Sequence, residues 1–193
     1  MSYNNPSILS ISAPTGLDNA IESIRASLAT ISWLTKSFGR AWEFKEMRDD
    51  KTLTIPKVFQ GTNTFKTGEY LNVLPNDYLQ AQSFICCTGP EKWDTFNRFD
   101  GSMKSREIAI IFWVNLKLID DTKNYIFTEE LKADVETILS QHSSVMSIDE
   151  YYDEIAEDIF KGWSVDDVKN QYLMYPYAGM RFNLIISYPE VCS

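Results

Sequence analysis

The sequence predicts an α+β protein, a mainly antiparallel sheet with an N-terminal helix and a two-helix segment packed on it. Three patterns predict it. Arg106–Ile119 alternates, with Ile108, Ile110, Phe112, Val114, Leu116 and Leu118 on one side. Met180–Tyr188 alternates again, with Met180, Phe182, Leu184, Ile186 and Tyr188 on one side. Helical periodicity occupies the N-terminal stretch and the stretch between these two strands.

Residues 1–15 are rich in Ser and Asn and read as an extended arm. Thr15 with Asp18 is an N-terminal helix signal. Leu17, Ile21, Ile24, Leu28, Ile31 and Phe38 then make one stripe, with Gly39 as a stop, so a helix is expected over Gly16–Phe38. Its other face, Ser23, Ser27, Thr30 and Ser37, is polar and uncharged, which suits either a subunit contact or a solvated surface. Residues 40–54 read as a charged connector, with a strand at its end as an alternative, and Ile55–Phe59, holding Pro56, as a short edge strand. A turn-rich loop over Gly61–Gly68 follows. Tyr70–Leu74 is extended up to Pro75-Asn76-Asp77, and Gln80–Thr88 is a strand closed by Gly89-Pro90. Trp93–Phe99 pairs across Asp100-Gly101 with the chain that follows, a hairpin signal.

The long strand has apolar residues on both sides in its middle, as a covered central strand does. After it, Thr128 with Glu129 and Glu130 starts a helix striped by Leu131, Val135, Ile138 and Leu139. Ser147-Ile148-Asp149-Glu150 reads as a capping box for a second helix, striped by Ile148, Tyr152, Ile155 and Ile159 and ended by Gly162. Tyr175-Pro176-Tyr177 with Gly179 is a rigid approach to the last strand, a structural feature. The domain division is an arm over 1–15 and one α+β domain over 16–193, with extended loops at 61–68 and 89–104.

The chain has 193 residues, 18 basic and 27 acidic side chains, and a net charge of −9. At this size roughly 70% of the unfolded surface can be buried without a metal or disulfide. The charge is uneven. Residues 1–110 hold 12 basic and 12 acidic side chains, whereas 111–193 hold 6 and 15. An acidic chain is a poor ligand for a phosphate backbone. Trp33, Trp42, Trp93, Trp113 and Trp163 do not alternate with bases as in a single-strand platform; they read as core or as interface anchors. No secretory signal is expected, and Ile108–Val114 is too short an apolar run to span a bilayer.

Candidate chemistry is sparse. Cys86, Cys87 and Cys192 form no disulfide framework, and adjacent cysteines rarely bridge. His142 is the single histidine, and a pairing of Cys86 as nucleophile with it has no local support. Gly61 and Gly68 lack the Gly-Lys-Ser/Thr of a phosphate loop. Asp149, Glu150, Asp153, Glu154, Glu157 and Asp158 are a run of acids without a base. Their spacing suggests a helical face turned to solvent or a partner, with metal or acid–base work as the alternative. No catalytic, cofactor or metal residue is expected.

In order of elements, residues 16–189 resemble bacteriophage tail-completion or head–tail connector proteins, in particular the neck-ring proteins of crAss-like phages of gut Bacteroidetes. The resemblance rests on the N-terminal helix, IPKVFQG, LPND, REIAIIFWVNLKLI, the acidic segment from Phe127 to Gly162, and the strand after MYPYAGMRF. It implies a tail-terminator-like structural virion protein without enzymatic activity. Such a protein is made in the bacterial host cytoplasm and located in the neck or tail. It forms a ring around the DNA exit channel, and its partners are copies of itself and neighbouring portal, neck and tail proteins. DNA passes without sequence-specific binding, and no membrane is involved. A ring subunit needs two complementary surfaces, and the neutral and acidic halves suit that need. Two other readings compete: a soluble acidic binding or inhibitor protein offering carboxylates to a basic partner, and a metal-dependent enzyme using the acidic segment.

Overall fold

In the computed structural model, the described residues are 13–60, 69–73, 79–94, 103–164 and 174–189. They form an α+β fold with one seven-stranded sheet and four helices. Helix α1 is Gly16–Leu28, followed by strands β1 (Lys36–Arg48), β2 (Lys51–Gln60), β3 (Glu69–Asn72), β4 (Ala81–Asp94) and β5 (Met103–Asn115). Then come helices α2 (Leu116–Ile119) and α3 (Thr128–Ser140), strand β6 (Val145–Tyr152), helix α4 (Ala156–Ile159) and strand β7 (Tyr177–Pro189). The strand order is β3-β2-β1-β4-β5-β7-β6, antiparallel except where β1 meets β4.

Alternation along β5 sends side chains to two cores. Ile108, Ile110, Phe112 and Val114 join α1, α3 and the Met180, Phe182, Leu184 and Ile186 side of β7. Ala109, Ile111 and Trp113 join Phe38, Val58, Phe84, Ile159 and Phe160 on the opposite face. Phe112 and Phe182 meet edge to face at 5.8 Å, a favoured aromatic geometry. On the α4 face, buried Arg181 donates from Nη1 to the carbonyls of Ile159 (3.4 Å) and Lys161 (3.1 Å), and from Nε to Asn183 Oδ1 (2.8 Å). It thereby holds carbonyls that a short helix leaves unpaired.

The first helix ends ten residues before the expected Phe38. Ala29, Thr30 and Ile31 bond back through tight turns to Arg25, Ser27 and Leu28 carbonyls, and Thr30 Oγ1 donates to Ser27 O. Ile31 packs in the α1 core from this turn, whereas Phe38 belongs to β1 and the other core. Gly39 is a strand residue, and Ser37 is buried in β1 with Ser83 as its bonding partner.

The expected connector over 40–54 is a β-hairpin. Trp42 and Phe44 alternate with Ala41, Glu43 and Lys45, and Asp49 and Asp50, at φ 48° and 60°, make the turn. β2 lies one strand in from the edge; its Thr54 exchanges bonds with Ser164 beyond the reach of β3. β4 continues through Gly89 and Pro90 with a bulge between Cys87 and Glu91, and Trp93 pairs with Lys104. Residues 89–94 and 103–104 are therefore strand, while 95–102 lie outside the described residues. So do 1–12, 61–68, the LPND stretch and Cys192.

The long strand stops at Asn115, whose Oδ1 accepts from Leu118 N–H and starts the one-turn helix α2. The largest correction concerns the second helix expected from Ser147 to Gly162. Val145–Tyr152 is an edge strand, and only Ala156–Ile159 is helical. Two bulges break its pairing with β7, so Val145, Ile148 and Tyr151, three residues apart, face Ile186, Leu184 and Phe182. A bulge adds a residue on one strand only, so this strand acquires a spacing close to that of a helix.

Candidate functional site

The six acids share no helical face. Asp149 and Glu150 are in β6, Asp153 and Glu154 follow it, and Glu157 and Asp158 are in α4. Several are tied into the structure. Asp149 accepts from Ser147 Oγ at 2.6 Å. Glu150 accepts from Asn183 Nδ2 at 2.7 Å and Tyr152 OH at 2.9 Å, and these bonds hold its carboxyl below the usual range. Asp153 Oδ2 accepts from Thr128 Oγ1 (3.0 Å) and Tyr151 OH (3.2 Å), joining the start of α3 to the end of β6. Burial, then the Asp153 carboxylate, pushes the Tyr151 phenol up.

Glu154 is exposed beside Ile155, and with Asp158, Tyr151, Tyr152 and Asp153 they line an open recess of about 220 Å³. A second recess, about 310 Å³, lies on the sheet between Thr88, Glu107, Asp149, Glu150 and Asn183. Lys92 pairs with Glu107 at 2.7 Å at its side. Among the described residues no group of three or more His, Cys, Asp or Glu side chains is placed to hold a metal ion.

Cys86 and Cys87 point to opposite faces, one into each core. Burial pushes the Cys86 thiol up to about 11, away from thiolate chemistry. His142 is at the end of α3 beside α1, on the other face from Cys86. Ser144 N–H donates to its Nδ1 (3.2 Å), so the ring hydrogen sits on Nε2 and donates to Ser23 Oγ (3.0 Å). In that tautomer the imidazole cannot take a proton from Ser23, and the pair is a clasp between α1 and α3 rather than a nucleophile and base. Ser23, on the polar face of α1, therefore meets α3 of its own chain.

Trp33 and Trp113 are core residues, whereas Trp42 and Trp93 are exposed. Arg40 lies over Trp42 at 3.8 Å and Lys104 over Trp93 at 3.9 Å. The sequence reading missed a further group. Leu118, Tyr125, Ile126, Met174 and Tyr175 are all exposed where β5 ends and β7 begins. Tyr175 OH donates to Lys123 O at 2.9 Å, and Leu116 N–H to Pro176 O at 2.8 Å, which brings the two segments together. The apolar runs Tyr125-Ile126-Phe127 and Met174-Tyr175, lying outside any regular element, were the available signal.

No protein-family model matches the chain, and no curated protein sequence matches it. No helix among the described residues is long and apolar enough to cross a membrane.

Proposed function

We propose that the protein is a structural subunit that assembles into a ring in the neck or tail of a phage virion, with a tail-terminator-like fold. It joins the portal side to the tail around the DNA channel and has no catalytic role. The observation that carries this reading is the group of large apolar side chains in water at the end of the sheet where β5 stops and β7 starts. Contiguous apolar surface of this kind marks contact sites. The charge supports it: the acids of 149–158 contain no base among them and suit a basic neighbour or a surface that repels DNA.

The test is mass and symmetry. Light scattering and electron microscopy of the purified chain, and labelling of its position in virions, are expected to give closed rings at the head–tail junction. A chain that is monomeric alone and absent from virions overturns the reading. The second reading, an acidic protein that binds a basic partner, is favoured by the recess around Glu154 and Asp158. It predicts a monomer or dimer whose complex with that partner dissociates with salt.

A further inference from the structure

We infer that residues 153–164 are a releasable strap across the second core, latched at Thr54, which opens as a unit while the sheet stays folded. The device belongs to the fold of the single chain and stands whether or not copies of the chain form rings.

The strap crosses the sheet. It leaves the end of the edge strand β6, and Ile159 then lies on β7, so closely that a Cβ on Gly179 would meet its Cγ2 at 3.2 Å. Trp163 packs edge to face on Phe84 of β4, with ring centres 6.2 Å apart. Ser164 ends the crossing at β2, where its N–H donates to Thr54 O (2.8 Å) and its Oγ accepts from Thr54 N–H (2.9 Å). The segment thus runs from β6 to β2 over the strands between them, with Phe84, Cys86, Ile111 and Trp113 beneath it. β1 pairs with β4 over Lys36–Arg40, so Thr54, opposite Lys45, lies in a part of the β1–β2 hairpin that β4 does not reach. The latch therefore ties that hairpin to the strap.

The strap's hold on this core is slight for its length. None of its residues is in a strand, and its helix α4 is a single turn. Of residues 153–164 only Ala156, Ile159 and Phe160 are buried, whereas α1 buries Leu17, Ala20, Ile21, Ile24 and Leu28. The bonds from Phe160 N–H to Ala156 O and from Trp163 N–H to Phe160 O close turns inside the strap and anchor it to nothing else. Its middle is tied down by Arg181 Nη1 at Ile159 O and Lys161 O, and its end by the Thr54–Ser164 pair. Between these ties Gly162 turns the chain at φ 95°, a conformation that favours glycine. A segment with little buried apolar surface and no ladder bonds opens at lower free energy than the sheet beneath it. Its release bares one side of β4, β5 and β7 without unzipping them.

The experiment is hydrogen exchange of the full chain, followed by NMR at low urea concentrations, with circular dichroism confirming the fold of each variant. In the wild type the amides of Phe160 and Trp163 are expected to share one opening that urea barely changes. It is expected to be about a hundredfold or more easier than the opening that exposes Ile110 and Phe112 in β5. Ser164→Ala removes the acceptor of Thr54 N–H but leaves the acceptors of Phe160 and Trp163 in place. It is expected to speed exchange at both about tenfold, with Ile110 and Phe112 unchanged. Ser164→Thr keeps the hydroxyl and is expected to keep the wild-type rates. Gly162→Ala strains the closed strap at its positive φ and is expected to act like Ser164→Ala. Wild-type exchange of Phe160 and Trp163 at the rate and urea dependence of Ile110 and Phe112 overturns the strap. Ser164→Ala that moves all four amides alike, or none of them, overturns the latch and the inference with it. So does Ser164→Thr that opens as easily as Ser164→Ala.

Discussion

Replacing Asp153 by Ala tests whether the acids of this chain are surface decoration or structural ties. The change removes two hydrogen bonds to one carboxylate oxygen, from Thr128 Oγ1 and Tyr151 OH. A bond to a charged group contributes about 1.5–3 kcal/mol. The Thr128 hydroxyl belongs to a residue 6% exposed and is left without this acceptor. Water reaches the carboxylate in part, so the expected loss is about 2 kcal/mol rather than the full sum. For a chain of this size that lowers the melting temperature by about 4–8 °C. Urea unfolding measures it, with Glu154→Ala as the control, since exposed Glu154 makes no hydrogen bond among the described residues. The control is expected to stay within about 0.5 kcal/mol of wild type. In a Thr128→Val background the Asp153→Ala loss shrinks by about 1 kcal/mol, because the shared bond is already gone. Equal small losses for Asp153→Ala and Glu154→Ala would refute the tie between α3 and β6.

Asp50→Gly relieves a residue held at φ 60° in the β1–β2 turn and is expected to stabilise by about 0.5–1 kcal/mol in urea unfolding. Arg181→Met removes the donors to Ile159 and Lys161 carbonyls. It is expected to cost about 2 kcal/mol and to speed hydrogen exchange over 156–161 before the rest of the sheet. The Cys86 thiol is raised from 9.0 to about 11 in the folded chain, so the native state holds that proton longer. Its contribution to stability is complete below pH 9 and falls as pH rises toward 11; Cys86→Ala is expected to remove that part of the alkaline slope. Magnesium, manganese or calcium is expected to leave the melting temperature unchanged, since Glu150 and Asp153 already accept bonds from protein groups. A rise with metal concentration would instead reveal a site through linkage.

The fold class was legible because its strongest signals were local. β5 and β7 alternate without interruption, and α3 keeps a regular stripe between acids at its start and His142 at its end. The edge strand β6 was misread for a physical reason. Its bulges place Val145, Ile148 and Tyr151 on one face at intervals of three, and period alone cannot distinguish that from a helix. Composition held the correcting signal, since Val145, Ile148, Tyr151 and Tyr152 are all strand-favouring residues. Phe38 prolonged the first helix on paper because residues on different cores can fall into one spacing by chance. The six acids are a base-free run in the sequence, but their division into tied and free carboxylates depends on Thr128, Asn183 and Ser147. These partners are assigned by tertiary structure, which spacing does not encode.

The division of Cys86 and Cys87 between the two cores has a practical consequence. Consecutive thiols in one peptide act as separate reporters for the two layers of the molecule. Pulsed alkylation followed by mass analysis of that peptide would date the loosening of each layer within a single experiment. Cys87 is half-buried, so label on Cys87 alone at a rate above that of the folded chain would mean that the α1–α3 layer lifts first. Label on Cys86 alone would mean that the α4 layer does. Simultaneous double labelling would mean that the sheet and both its coverings come apart as one cooperative unit.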